Sequence, residues 1–148
     1  MLEIQEKFSS NGYENIIAEA GSKNLHITEA MDKNNVIGFI AYAYNDDAVI
    51  IYDFDDGGDL YLCDGLVRSV LFKGCLKGLD SAVFEVKDKT KFARLKSLSF
   101  VKDSHKTLDN MNEFMAYVLT SLREKKYSDK SALKIMIHLD SYKHWFRN

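Results

Sequence analysis

The most informative feature of the chain is a change of hydrophobic period. Between Leu25 and Phe54, apolar residues fall at every second position or in short β-rich runs; between Asp59 and Lys77 they recur every third or fourth. A period of two places side chains alternately on the two faces of a strand, and a period near 3.6 gathers them on one face of a helix. Leu25–Met31, Val36–Tyr44 and Ala48–Phe54 therefore read as three strands of a meander, separated by the polar turns Asp32–Asn35 and Asn45–Asp47. Leu62, Leu66 and Val70, with Cys63, Val67 and Leu71 beside them, predict a helix over Asp59–Lys77. Asp59 suits its N-cap and Gly78 sits where a glycine ends a helix. Ser81–Val86 reads as a strand and Lys89–Leu98 as a short amphipathic helix with Phe92, Leu95 and Leu98 on one face. Strand, helix, strand implies a right-handed crossover and a parallel pair.

The flanks carry weaker patterns. Met1–Ser9 alternates loosely and reads as an edge strand; Asn11-Gly12 is a turn; Tyr13–Ala20 forms a short helix with Ile16 and Ile17 inward. Leu108–Lys125 has Met111, Met115, Val118 and Leu122 in line, as in a helix. Leu133–Leu139 alternates and is assigned as a strand, although Ile135, Leu139, Tyr142 and Phe146 also fit a helix. There is no proline, so every turn rests on Gly, Asn, Asp and Ser. No repeat or linker divides the chain. The expectation is a single α/β (α+β) domain over residues 1–148, with a mixed central sheet, a core over 25–101, and a C-terminal helix, strand and aromatic tail over 102–148.

Composition narrows the function classes. A chain of 148 residues with 46% hydrophobic and 12% aromatic residues can enclose one core. Twenty-two acidic against 20 basic residues leave no electrostatic footprint for nucleic acid or an anionic membrane. No apolar run approaches the roughly 18 residues that cross a bilayer. Met1–Lys7 includes Glu3, Glu6 and Lys7 and shows no signal peptide, which points to the cytoplasm. Cys63 and Cys75 lie on one predicted helix about 18 Å apart, too far to bridge. His26, His105, His138 and His144 stand at no zinc-ligand spacing, so no metal is expected. There is no nucleophile elbow and no Walker loop.

The order of meander, glycine-containing loop, long helix, strand and short helix resembles the core of the GNAT superfamily of acyl-CoA N-acyltransferases, in reduced form. In that family, the loop after the fourth strand and the next helix N-terminus hold the coenzyme A pyrophosphate, on free N–H groups and the helix dipole. Gly65 matches the first glycine of the motif Gln/Arg-x-x-Gly-x-Gly/Ala, and Val70 and Leu71 match the aliphatic pair after it. Leu62 replaces the leading Gln/Arg, Val67 replaces the second small residue, and Asp64 adds a negative charge for Arg68 or Lys73 to compensate. Gly57-Gly58 is the alternative phosphate nest. Lys89–Phe100 repeats the rhythm of the family's next motif, with Asp88 at its Asn position and Leu95 at the Tyr that serves as general acid. The match spans Leu25–Val101. Only 24 residues precede Leu25, where the family spends two helices shaping the acceptor site, so that site is small, borrowed from a partner, or absent.

The resemblance implies transfer of an acyl group from acetyl-CoA or another acyl-CoA to an amine. It places the pantetheine arm on the backbone of Phe54, Asp55 and Asp56, and the pyrophosphate on Gly65, Leu66, Val67 and Arg68. It also implies that Ser81–Val86 splays from Ala48–Phe54 to open a cleft. Removing the ammonium proton needs a base. Asp53 and Asp55, two apart on one strand face, are the candidates, since neighbouring carboxylates raise each other's pKa. Tyr52 would lie with Ile50 and Phe54 on the core face; Tyr42 and Tyr44 share a face as core edge or acceptor-pocket wall. Leu62, Val67 and Leu95 motivate the alternative of a non-catalytic interaction module on the same fold. Tyr142, Trp145 and Phe146 are costly to leave in water, and an open sheet edge invites pairing, so a homodimer is expected with Leu133–Phe146 contributing.

Overall fold

The computed structural model describes residues 2–7, 9, 11–21 and 24–116. Within them six strands form one sheet, in chain order: β1 (Leu2–Lys7), β2 (His26–Asp32), β3 (Asn35–Tyr44), β4 (Val49–Asp55), β5 (Ala82–Phe84) and β6 (Thr107–Leu108). The pairs β1–β2, β2–β3, β3–β4 and β5–β6 are antiparallel; β4–β5 is parallel. Three helices accompany the sheet: α1 (Glu14–Ala20), α2 (Leu60–Leu76) and α3 (Lys89–Ser97). Residues 111–116 begin a further helical segment. The expected mixed sheet with an antiparallel meander and a β-α-β crossover is what forms.

Local chemistry explains the hairpins. Lys33 and Asn34 both take positive φ, 51° and 73°, between the paired Asp32 and Asn35. That is the type I′ geometry whose twist matches a two-residue hairpin. In the next turn Asn45 Oδ1 accepts from the amides of Asp47 and Ala48, at 2.8 and 2.7 Å. α2 packs its apolar side on β3 and β4: Leu62, Leu66, Val70 and Leu71 meet Ile40, Val49, Ile51 and Phe54 in one core with Phe84, Leu95 and Phe100. Gly38 permits the close approach. A Cβ there would lie 2.6 Å from the Asp55 carbonyl oxygen and 3.0 Å from Leu62 Cδ2.

Several expectations are corrected. Ala41 pairs with Asp53 and Tyr42 with Ile51, so Tyr52 is an extra residue in β4, a β-bulge. The bulge reverses the alternation: Val49, Ile51 and Phe54 are buried, while Ile50 and Tyr52 are half-exposed. Tyr52 therefore leaves the core face it was assigned with Phe54. Leu108 belongs to β6 rather than to a helix, because it completes the antiparallel ladder opposite Ala82. Cys63 and Cys75 are both free thiols on α2. The expected strand Leu133–Leu139 and the aromatic tail lie outside the described residues, and with them the basis for a homodimer. Among the described residues no helix is long and apolar enough to cross a membrane.

Candidate active site

The bulge lies where β4 and β5 separate. Their ladder runs Val49↔Ala82, Ile50↔Val83, Ile51↔Phe84, and ends with the Glu85 amide on the Ile51 carbonyl at 2.8 Å. Beyond it, β4 continues along β3 to Asp55, while the chain after Phe84 leaves for α3. Between them is a 210 Å³ cavity walled by Tyr52, Asp53, Glu85, Lys87, Asp88 and Lys91, with Ile16, Glu19 and Ala20 contributed by α1. A cleft opening between the parting parallel strands is what the resemblance led us to expect.

Asp53 faces this cavity. Its Oδ1 accepts from the Phe54 amide at 2.8 Å and from Lys91 Nζ at 2.9 Å. Lys91 also lies 6.0 Å from the centre of the Phe54 ring. Asp88 caps α3 by accepting from the Lys91 amide, which holds its carboxyl below the usual range. Asp55, the other candidate base, is exposed and bonds the Gly57 amide at 2.9 Å; it is not among the cavity residues. The two carboxylates share a strand face but do not work on one point: Asp53 turns to Lys91, Asp55 to the loop. Leu95 is fully buried in the core and carries no proton.

The loop between β4 and α2 is the natural anion site, because a crossover helix presents free amides beyond the carboxyl end of its strand. Here five of those amides are taken. Gly57 N–H donates to Asp55 Oδ1 and Gly58 N–H to Asp56 Oδ1, both at 2.9 Å. Tyr61 and Leu62 N–H donate to Asp59 Oδ1 at 2.9 and 3.3 Å, and Asp59 N–H to the Asp56 carbonyl at 2.9 Å. Gly57 and Gly58 make this possible with φ of 60° and 83°, where side chains are strained. Asp56 is only 2% exposed; Arg94 Nη1 also donates to its Oδ1, while Oδ2 is buried with no partner among the described residues. The neighbouring Cys63 thiol is pushed up to about 12, first by burial and then by Asp56.

The motif residues Gly65, Leu66, Val67 and Arg68 lie elsewhere. Asp59 caps α2 so that the helix starts at Leu60, and all four are buried within it. Their amides are spent on the helix, so they form no phosphate loop. Of the two cations considered, Arg68 is the one that compensates Asp64, and it does so in the core: Nε donates to Asp64 Oδ1 at 2.8 Å, and the guanidinium lies 5.6 Å from both the Phe100 and Phe114 rings. Burial raises the Asp64 carboxyl against the pull of Arg68. Phe54 is a core residue whose amide is held by Asp53.

Sequence reasoning missed Tyr52, Glu85, Lys91 and Arg94. Lys91 and Arg94 are three apart on α3, a spacing that puts both on one helical face and was available as a signal. The bulge that exposes Tyr52 left none. Among the described residues no group of His, Cys, Asp and Glu is placed to hold a metal ion.

No family model and no curated protein matches the chain. Solved structures do. The aminoglycoside N-acetyltransferase AAC(6')-Iy in complex with a bisubstrate analogue, CoA-S-monomethyl-acetylneamine, aligns at 10% identity and a TM-score of 0.50 over 71% of this chain and 92% of that one. The same enzyme in complex with CoA aligns at 10% identity and 0.50 over 70% and 92%. The chain thus has the GNAT fold.

Proposed function

We propose that this chain is an N-acyltransferase that moves an acyl group from a CoA-type thioester to an amine. The observation that carries the reading is the separation of β4 from β5 at the Tyr52 bulge, with a carboxylate and a phenol in the cavity so opened. The similar structures bind CoA and a CoA-linked aminoglycoside in a GNAT fold, which supports a thioester donor and an amine acceptor here. As the amine nitrogen forms its bond to the acyl carbon and the carbon–sulfur bond breaks, one proton must leave the nitrogen and the thiolate must gain one. Asp53 is the base for the first transfer, held in place by Lys91 and the Phe54 amide. Tyr52 is the donor for the second, in place of the tyrosine that Leu95 does not supply.

The complete burial of Leu95 favours a second reading, a non-catalytic binding module on the same fold. Release of free thiol from acetyl thioesters, with a panel of primary amines, tests the choice. Turnover that falls about a hundredfold in Asp53→Asn, the lower end of what a general base contributes, supports the enzyme. Thioester binding with no thiol release for any amine selects the module.

A further inference from the structure

We propose that the loop after β4 is an anion nest filled by the protein's own carboxylates, and that the thioester entering this cleft is recognised through its neutral pantetheine arm and not through a diphosphate. The inference rests on the thioester reading above and names the part of the donor that the chain grips. Two features of the same loop agree. First, the amides of Gly57, Gly58, Tyr61 and Leu62, which would hold phosphate oxygens, each donate to Asp55, Asp56 or Asp59. Second, an incoming diphosphate would meet three carboxylates at the same place, and like charges repel. Arg94, a cation near that loop, is already engaged with Asp56. The pantetheine arm is uncharged and meets no such repulsion.

Titration calorimetry on the whole chain tests this with three probes: acetyl-CoA, S-acetyl-4′-phosphopantetheine and S-acetylpantetheine, between about 0.01 and 0.5 M salt. All three are expected to bind within about threefold of one another, less than the tenfold worth 1.4 kcal/mol. Screening weakens repulsion, so acetyl-CoA should bind more tightly as salt rises while S-acetylpantetheine stays constant. Asp55→Asn with Asp59→Asn keeps the oxygen acceptors and removes two charges. It should improve acetyl-CoA binding about tenfold relative to S-acetylpantetheine. Acetyl-CoA binding more than tenfold tighter than S-acetylpantetheine, and weakening with salt, overturns the inference and leaves the acyltransferase reading standing. A tenfold gain from the single phosphate of the 4′-phosphopantetheine thioester also overturns it. If no probe binds at millimolar concentration, the inference and the thioester reading fall together. The probe comparison and its salt dependence need no variant, so a misfolded double mutant does not obscure the result.

Discussion

Two clusters of charge sit near opposite ends of α2, about 20 Å apart along the helix axis, and they differ in what holds them. Near the C-terminal end, Lys73 is 5% exposed and donates to Tyr42 Oη at 2.6 Å and Thr28 Oγ1 at 3.3 Å, with Glu6 Oε2 at 3.6 Å. His26 bonds Glu6 at 3.0 Å and stacks on Tyr42. These residues come from β1, β2, β3 and α2, elements already tied together by a continuous ladder and a shared core. At the other end, Lys91–Asp53 and Arg94–Asp56 connect α3 to β4 and to the loop that follows it, where the ladder between β4 and β5 has stopped. The first cluster is stapled into a rigid frame. The second crosses a gap, where the proposed thioester would enter. Burial makes the first a matter of stability; on that proposal the gap makes the second a matter of selection.

The comparison breaks most visibly at Lys73. Lys73→Ala leaves a buried tyrosine hydroxyl and a half-buried carboxylate without their cation, and removing one member of a buried pair is strongly destabilising. A loss of about 3 kcal/mol in urea unfolding is expected. A change under about 0.5 kcal/mol, typical of a surface site, would mean that the cluster is not stapled at all.

Arg94 should matter less than Lys73, and Lys91 less again. Arg94→Ala deprives the buried Asp56 of its charged donor and is expected to destabilise the fold more than Lys91→Ala does. The Lys91 and Asp53 side chains are 30% and 29% exposed, so Lys91→Ala should cost about 0.5 kcal/mol. Equal losses for the two variants, measured in the same denaturant, would remove the distinction between the two pairs.

The smallest effect is signed. Glu6 is held below its ordinary value of 4.5, first by its hydrogen bond to His26 and also by Lys73. In the window below 4.5 the unfolded chain binds more protons at this position than the folded one. The contribution of Glu6 is therefore fully present above that value and lost as the pH falls through the folded value. Unfolding midpoints between pH 7 and pH 3 should show a shallower acid limb for Glu6→Gln. An unchanged limb would detach Glu6 from the cluster.

The fold was legible because its signals are local. Lys33-Asn34 closes a hairpin, Asp59 caps α2 through two amides, and the period change at residue 59 separates sheet from helix. The site was legible only in part. Asp53 was chosen by its position on a strand face, and the structure puts it in the cavity with Lys91. Tyr52 was misassigned because a single extra residue inverts a period-two pattern without leaving any mark of its own. Gly65 was misplaced because the motif was laid inside a helix whose cap, Asp59, the sequence already marked, and a residue past the first turn has no free amide to offer.

By itself, then, the sequence determined the order and type of the elements from β1 to α3, since hydrophobic period, turn residues and caps act within a few residues of one another. It also determined that a loop rich in Asp and Gly would follow β4. Tertiary structure alone decided which oxygen each of those amides would find, and where β4 would bulge against β3. It alone brought Lys91 and Arg94 across some 38 residues to their carboxylates. Those outcomes depend on how two strands and a helix fit around one core, a fit that no short window of residues contains.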